Sequence, residues 1–171
     1  QVLTSAGAGA QPAFEDAGGG GDLEVWLKPS SGADGSGVER TTDGFQEWKF
    51  NDGGGTSVDT TVKAPAGATS ISSIKVLYSR NATGNLYIAF NFNHLDVVIG
   101  DTFTSDSEAV ATYAGGSSNG SLGIITIPST GYNGLTITEG DIIGLQINRQ
   151  GAHANDTYGT TFRVYGILYT F

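Results

Sequence analysis

From Leu23 onward the chain alternates apolar and polar positions with a period of two, and Gly, Asp or Pro interrupts the alternation at short intervals. Leu23, Val25 and Leu27 share one face of the first segment, followed by residues 45–50 with Trp48 and by residues 58–62. The pattern is cleanest where Leu86, Ile88, Phe90 and Phe92 interleave with Tyr87, Ala89, Asn91 and Asn93. A strand there presents four large apolar side chains to one side and mostly polar groups to the other. Residues 71–79 precede it across the short loop Arg80-Asn81-Ala82-Thr83-Gly84, a spacing that predicts an antiparallel hairpin. Further strands are predicted at 108–113, at 122–127 stopped by Pro128, at 141–148 and at 160–171. Both faces of the last one are apolar, with Phe162, Val164 and Leu168 on one and Tyr165, Ile167, Tyr169 and Phe171 on the other. Such a strand is expected to be central or pressed against another subunit.

About eight to ten strands and no sustained helical spacing predict an all-β fold, an antiparallel β-sandwich of jelly-roll-like type. A single helical turn is admissible at residues 106–114. Residues 1–21 are small and Gly-rich with a lone Phe14, too little apolar surface to fold alone. The run Gly18–Gly21 marks the boundary, so the expected organisation is an extended arm at 1–21 and a sandwich domain at 22–171.

The 171 residues suit one such domain, large enough for a core without staples. With no Cys, disulfides and thiolate metal sites are excluded, and stability must come from sheet packing, oxygen-bound ions or association between chains. A chain that starts at Gln1 and holds no Met is expected to be a processed or excised segment. The net charge of -9 argues against a nucleic-acid partner, whose phosphates demand Lys and Arg. Apolar runs such as Leu95–Ile99, broken by Asp96, fall far short of the roughly 20 residues that span a bilayer, so no membrane insertion is expected.

Two stretches resemble a known family. The opening words Gln1-Val2-Leu3-Thr4-Ser5, Ala6-Gly7-Ala8-Gly9-Ala10 and Gln11-Pro12-Ala13-Phe14 are similar to a phrase common in bacteriophage tail fibres and related virion appendages, where it precedes a distal domain. The run from Glu139-Gly140-Asp141 through Asn148-Arg149-Gln150-Gly151 to Phe162-Arg163-Val164-Tyr165-Gly166-Ile167 resembles the closing strands of β-sandwich domains in phage structural proteins. The resemblance covers about a quarter of the chain. It implies a virion appendage or surface-fibre subunit, often trimeric, whose arm joins the domain to the particle.

Catalytic chemistry finds few residues to work with. Without Cys, only His94 and His153 offer neutral-pH bases, and no nucleophile elbow accompanies the pair His94 and Asp96, so His94 reads as a loop residue. Glu24, Glu47 and Glu108 lie in predicted strands and could meet as a glycosidase pair, but 17 acidic residues make such coincidences ordinary. Oxygen-rich clusters at Asp34, at Asn51-Asp52-Gly53 and at Asp101, Asp106 and Glu108 are of the kind that holds calcium, though Asp and Gly also favour turns on their own account. Calcium is therefore the one cofactor considered, with Asp101, Asp106 and Glu108 as its ligands. Sequons at Asn81, Asn119 and Asn155 fall in predicted loops. Tyr113, Tyr132 and Tyr158 sit beside Gly, Asn and Asp and are candidates to stack on sugar rings, against the plainer reading of sheet edge or subunit contact. Trp26 and Trp48 are expected in a core or as inter-chain anchors.

The expected function is a non-enzymatic structural subunit of a virion appendage or extracellular fibre, located on the virion or outside the cell. It would assemble as a homo-oligomer, trimer or polymer, through Val2, Leu3 and Phe14 of the arm and Tyr165, Tyr169 and Phe171 of the last strand, with host attachment as an extension. The alternatives are a carbohydrate- or receptor-binding module and, behind it, a polysaccharide-degrading enzyme.

Overall fold

In the computed structural model, residues 22–28, 46–53, 55–80, 82–95 and 121–171 are described, together with the strand backbones at 2–4, 13–15, 38–40 and 104–113. Twelve strands are found there: β1 (Val2–Thr4), β2 (Ala13–Glu15), β3 (Glu24–Leu27), β4 (Val38–Arg40), β5 (Gln46–Phe50), β6 (Gly55–Lys63), β7 (Ser73–Arg80), β8 (Leu86–Leu95), β9 (Thr104–Tyr113), β10 (Ser121–Thr126), β11 (Ile142–Gln150) and β12 (Phe162–Thr170). One 3₁₀ turn, Ser129–Gly131, is the sole helical element among the described residues, and none is long and apolar enough to cross a membrane. The turn admissible at 106–114 is instead part of β9.

Sheet I runs β10-β7-β12-β5-β4, with β3 also paired to β12, and sheet II runs β6-β11-β8-β9. All pairings are antiparallel. Strands β5 to β12 thus fall into the orders β5-β12-β7-β10 and β6-β11-β8-β9, with every consecutive pair except β8 and β9 on opposite sheets. That is the jelly-roll arrangement, and the sandwich expectation holds.

The expected hairpin between residues 71–79 and the strand after it does not form. β7 pairs with β10 and β12 in sheet I, while β8 pairs with β11 and β9 in sheet II. Period-two alternation looks the same whether two strands lie side by side or face to face, and a short loop can also arch between sheets about 10 Å apart. Here it does so because Ile74 and Val76 of β7 and Leu86, Ile88, Phe90 and Phe92 of β8 all point into one core.

That core gathers Trp48 and Phe50, Val58 and Val62, Ile143, Leu145 and Ile147, and Phe162, Val164, Ile167 and Tyr169 from both sheets. Each fully buried large side chain contributes about 1.5–3 kcal/mol. The two-faced pattern of the last strand has a local cause. The register of β12 against β7 shifts between Val164 and Gly166, so the bulge returns Ile167 and Tyr169 to the side of Phe162 and Val164 and turns Leu168 outward. The strand is central, flanked by β7 on one side and by β5 and β3 on the other.

The arm is not wholly extended: β1 and β2 pair antiparallel, with Leu3 opposite Phe14.

Candidate functional site

β11 points Ile143, Leu145 and Ile147 inward, and the next inward position is Arg149. Its guanidinium is fully buried, a cost that only a complete set of partners offsets. Asp156 supplies a bidentate one: Arg149 Nε donates to Oδ2 at 3.1 Å and Nη2 to Oδ1 at 2.9 Å. Nη1 donates to the carbonyls of Thr160 (2.6 Å) and Phe50 (3.3 Å), and Nη2 to the carbonyl of Tyr158 and to Asp52 Oδ1 (3.4 Å). The Tyr158 ring lies 5.3 Å from the guanidinium carbon.

Burial opposes ionisation of Asp156. Against it act the Arg149 hydrogen bonds and charge and the N–H groups of Tyr87 and Tyr158, and together they hold the carboxyl below the usual carboxylate range. Residues 151–161 are thereby folded back onto the sandwich. A second clamp joins them to the loop before β8: Thr157 N–H and Tyr158 N–H donate to the Asn85 carbonyl at 2.9 and 3.0 Å, and Asn85 N–H donates to Thr157 Oγ1 at 2.8 Å.

The outer face of sheet II is amide-rich. Gln146 lies between Asp59 on β6 and Asn91 on β8, and Asn91 is in register with Glu108 on β9. Asn91 Nδ2 donates to Gln146 Oε1 at 2.9 Å, and Gln146 Nε2 donates to Asp59 Oδ1 at 2.8 Å. At the end of this face His153 stacks flat on Tyr87, ring centroids 3.8 Å apart at 8°. A depression of about 320 Å³, lined by Asn148, Gln150, Ala152 and His153, opens beside the stack.

The outer face of sheet I is apolar by contrast. On the edge strand β10, Leu122 is 67% and Ile124 65% exposed, and Trp26 on β3 is 42% exposed. Ile124 is in register with Leu77, and Trp26 with Leu168. Gly166 leaves room for the Trp26 indole: a Cβ there would meet the ring and, at 2.8 Å, the Leu27 carbonyl.

Several expected site residues lie elsewhere than on the surface. Tyr132 and Tyr158 are buried, which removes both as sugar platforms. Tyr132 donates to the Ile127 carbonyl at 3.2 Å and packs edge-on against Phe92, and burial pushes its hydroxyl pKa up. Both flank turns that fold back over the core, so polar neighbours in sequence did not imply exposure. Tyr169 is also fully buried in its own chain's core, its hydroxyl likewise pushed up by burial, and so is no assembly contact. Phe171 stacks on Tyr169 at 6.2 Å, and the half-buried Tyr165 hydroxyl lies 2.9 Å from Ser79 Oγ on the outer face. Trp48 is in the core as expected, whereas Trp26 is not.

His94, on β8, pairs through Nε2 with Asp141 Oδ2 at 3.1 Å, and the same oxygen accepts Thr138 N–H at 2.6 Å, closing the turn before β11. Glu47 is buried and accepts from Arg163 at 2.8 Å on sheet I, whereas Glu108 belongs to sheet II and Glu24 stands exposed on β3. Asp52 is engaged by Arg149. No cluster of three potential metal ligands occurs among the described residues. Asp34, Asn81, Asp96, Asp101 and Asn119 lie outside the described residues, as do the side chains of Val2, Leu3, Phe14, Asp106, Glu108 and Tyr113.

No protein-family model matches the chain, and no curated protein matches it in sequence. Among solved structures it is similar to Arthrobacter globiformis T6 isomalto-dextranase complexed with panose, at 12% identity over 85% of this chain and 23% of that one, TM-score 0.54. It is also similar to the infectious bursal disease virus Gt strain structure (10% identity, 99% of this chain, 36% of that one, TM-score 0.45). A third is TmCBM61 in complex with β-1,4-galactotriose (14%, 85% and 88%, TM-score 0.40). The chain spans about a quarter to a third of the first two, and at these identities the likeness is one of fold.

Proposed function

We propose that this chain is a structural subunit of a virion appendage or extracellular fibre, in which the jelly roll associates with further copies and the N-terminal arm joins it to the rest of the assembly. The observation that carries this reading is the outer face of sheet I. Leu122, Ile124 and Trp26, with the half-buried Leu77, Leu168 and Tyr165, form an apolar surface on a sheet whose edge strand β10 bears two of its members. Proteins that work as monomers keep such patches small, and edge strands are usually blunted by charge. The family-like words at Gln1–Phe14 and in β11 and β12 agree with it.

The test is the mass of the full chain in solution. A defined oligomer is expected, unchanged when residues 1–21 are deleted, because the contact belongs to the sandwich. Leu122→Asp combined with Ile124→Asp should weaken association at least about tenfold, each buried aliphatic side chain being worth about 1.5–3 kcal/mol. A monomer at every concentration in native mass measurements removes the reading. Oligomers lost on deleting residues 1–21 would move the contact from the domain to the arm.

A further inference from the structure

Asn148 is the exception on the amide-rich face. Gln146, two residues earlier, finds Asn91 and Asp59 as cross-strand partners, whereas Asn148 is in register with Ser57 on β6 and with Ala89 on β8, whose methyl group neither donates nor accepts. Its Oδ1 is buried and has no hydrogen-bond partner among the described residues. A buried amide oxygen left in this state is costly.

The depression lined by Asn148 holds two further polar groups. His153 Nδ1 accepts the Asn155 N–H at 3.1 Å, so in the neutral ring the proton sits on Nε2, which is left to donate. The stack on Tyr87 and the Gln150 carbonyl's bond to His153 N–H (2.9 Å) fix the position of that imidazole. Gln150 adds a side-chain amide with both donor and acceptor.

The character of the lining selects the class of ligand. Among the described residues that line the depression none is cationic, and the chain carries a net charge of -9, so an anion is disfavoured. Arg149 is turned inward and held by Asp156. None of these described residues is a carboxylate either, so they offer a metal ion no charged ligand. Three of the four described lining side chains are polar, so an apolar ligand would strand them. A neutral molecule with several hydroxyls meets all of these terms.

We propose that this depression, where β11 runs into residues 151–161, is a binding site for a neutral sugar ring, its hydroxyls bonding the side-chain amides of Asn148 and Gln150 and His153 Nε2–H. A volume of about 320 Å³ accommodates a single ring. The site goes beyond the structural reading and is independent of it, since it lies on the sheet opposite the apolar face.

The full-length chain, labelled with nitrogen-15, is titrated with methyl glycosides of glucose, galactose and N-acetylglucosamine and with maltotriose and cellotriose. Sialic acid and calcium chloride serve as charged probes. At least one neutral saccharide should produce saturable amide shifts confined to Tyr87 and residues 148–153, exceeding any from the charged probes. Asn148→Ala and His153→Ala should each weaken that response about fivefold or more, with circular dichroism and oligomer mass unchanged. Shifts absent for every neutral saccharide, centred elsewhere, larger for a charged probe, or unaltered in both variants would overturn the site. Because oligomer mass is read separately, failure here is distinguishable from failure of the structural proposal.

Discussion

Asp156→Asn is expected to destabilise the domain by about 3–5 kcal/mol, the range for removing one partner of a buried ion pair. For a chain of this size that corresponds to a fall of roughly 10 °C or more in Tm, read by thermal or urea denaturation. The substitution keeps the shape of the side chain but removes the buried counter-charge of the Arg149 guanidinium, leaving it only the more exposed Asp52 carboxylate at 3.4 Å. Arg149→Met should cost more, because it leaves the Asp156 carboxylate buried and also strips the donor from the carbonyls of Phe50, Tyr158 and Thr160. The pH dependence has a fixed sign. The folded-state pKa of Asp156 is lowered, so its contribution is complete above the unfolded carboxylate value of about 3.9 and is lost as pH falls through the lower folded value. The gap in stability between the native chain and Asp156→Asn should therefore be widest near neutral pH and narrow below about pH 4. A gap independent of pH, or an Asp156→Asn variant as stable as the native chain, would show that the pair does not hold the 151–161 loop.

How much of this was legible in the sequence varies with the kind of signal. The strands were, because burial on one face imprints a period of two, and Leu86, Ile88, Phe90 and Phe92 could not be arranged otherwise. Which strands neighbour one another was not, since Ile74 and Val76 carry the same imprint whether β8 lies beside β7 or across the core from it. The β12 bulge was hidden for a related reason: an extra residue at Tyr165-Gly166 inverts the parity, so a one-sided strand reads as two-sided. Arg149 left a readable trace, however. It continues the inward row of Ile143, Leu145 and Ile147, and an arginine in such a row must find a buried anion nearby, which the seven-residue spacing to Asp156 supplies. Nothing comparable marked the depression at Asn148, whose neighbours across the sheet, Ser57 and Ala89, are not amides.

Gly84→Ala is the second substitution expected to have a large effect, and it acts on the same loop from the opposite side. Gly84 has φ +123°, a backbone conformation that L side chains rarely adopt. A Cβ there would meet the Thr157 carbonyl group, its carbon at 2.8 Å, and the Tyr158 Cα at 3.0 Å. These are backbone atoms with no flexible tip to swing aside, so either residues 82–85 or residues 151–161 must move. The strain and the overlap each cost about 1–3 kcal/mol, giving a loss of roughly 2–6 kcal/mol by urea denaturation. The core strands do not depend on this contact, so the jelly roll should remain folded while the clamp between Asn85 and Thr157 opens. Amide hydrogen exchange should then accelerate at Thr157 and Tyr158 but not in β11. The His153 ring should lose its fixed place over Tyr87, and with it the saccharide response should weaken, although no residue lining the depression has been changed. Native-like exchange at Thr157 and Tyr158 in the variant would mean that the loop keeps its seat without Gly84, and that the close approach of the two backbones does not position His153.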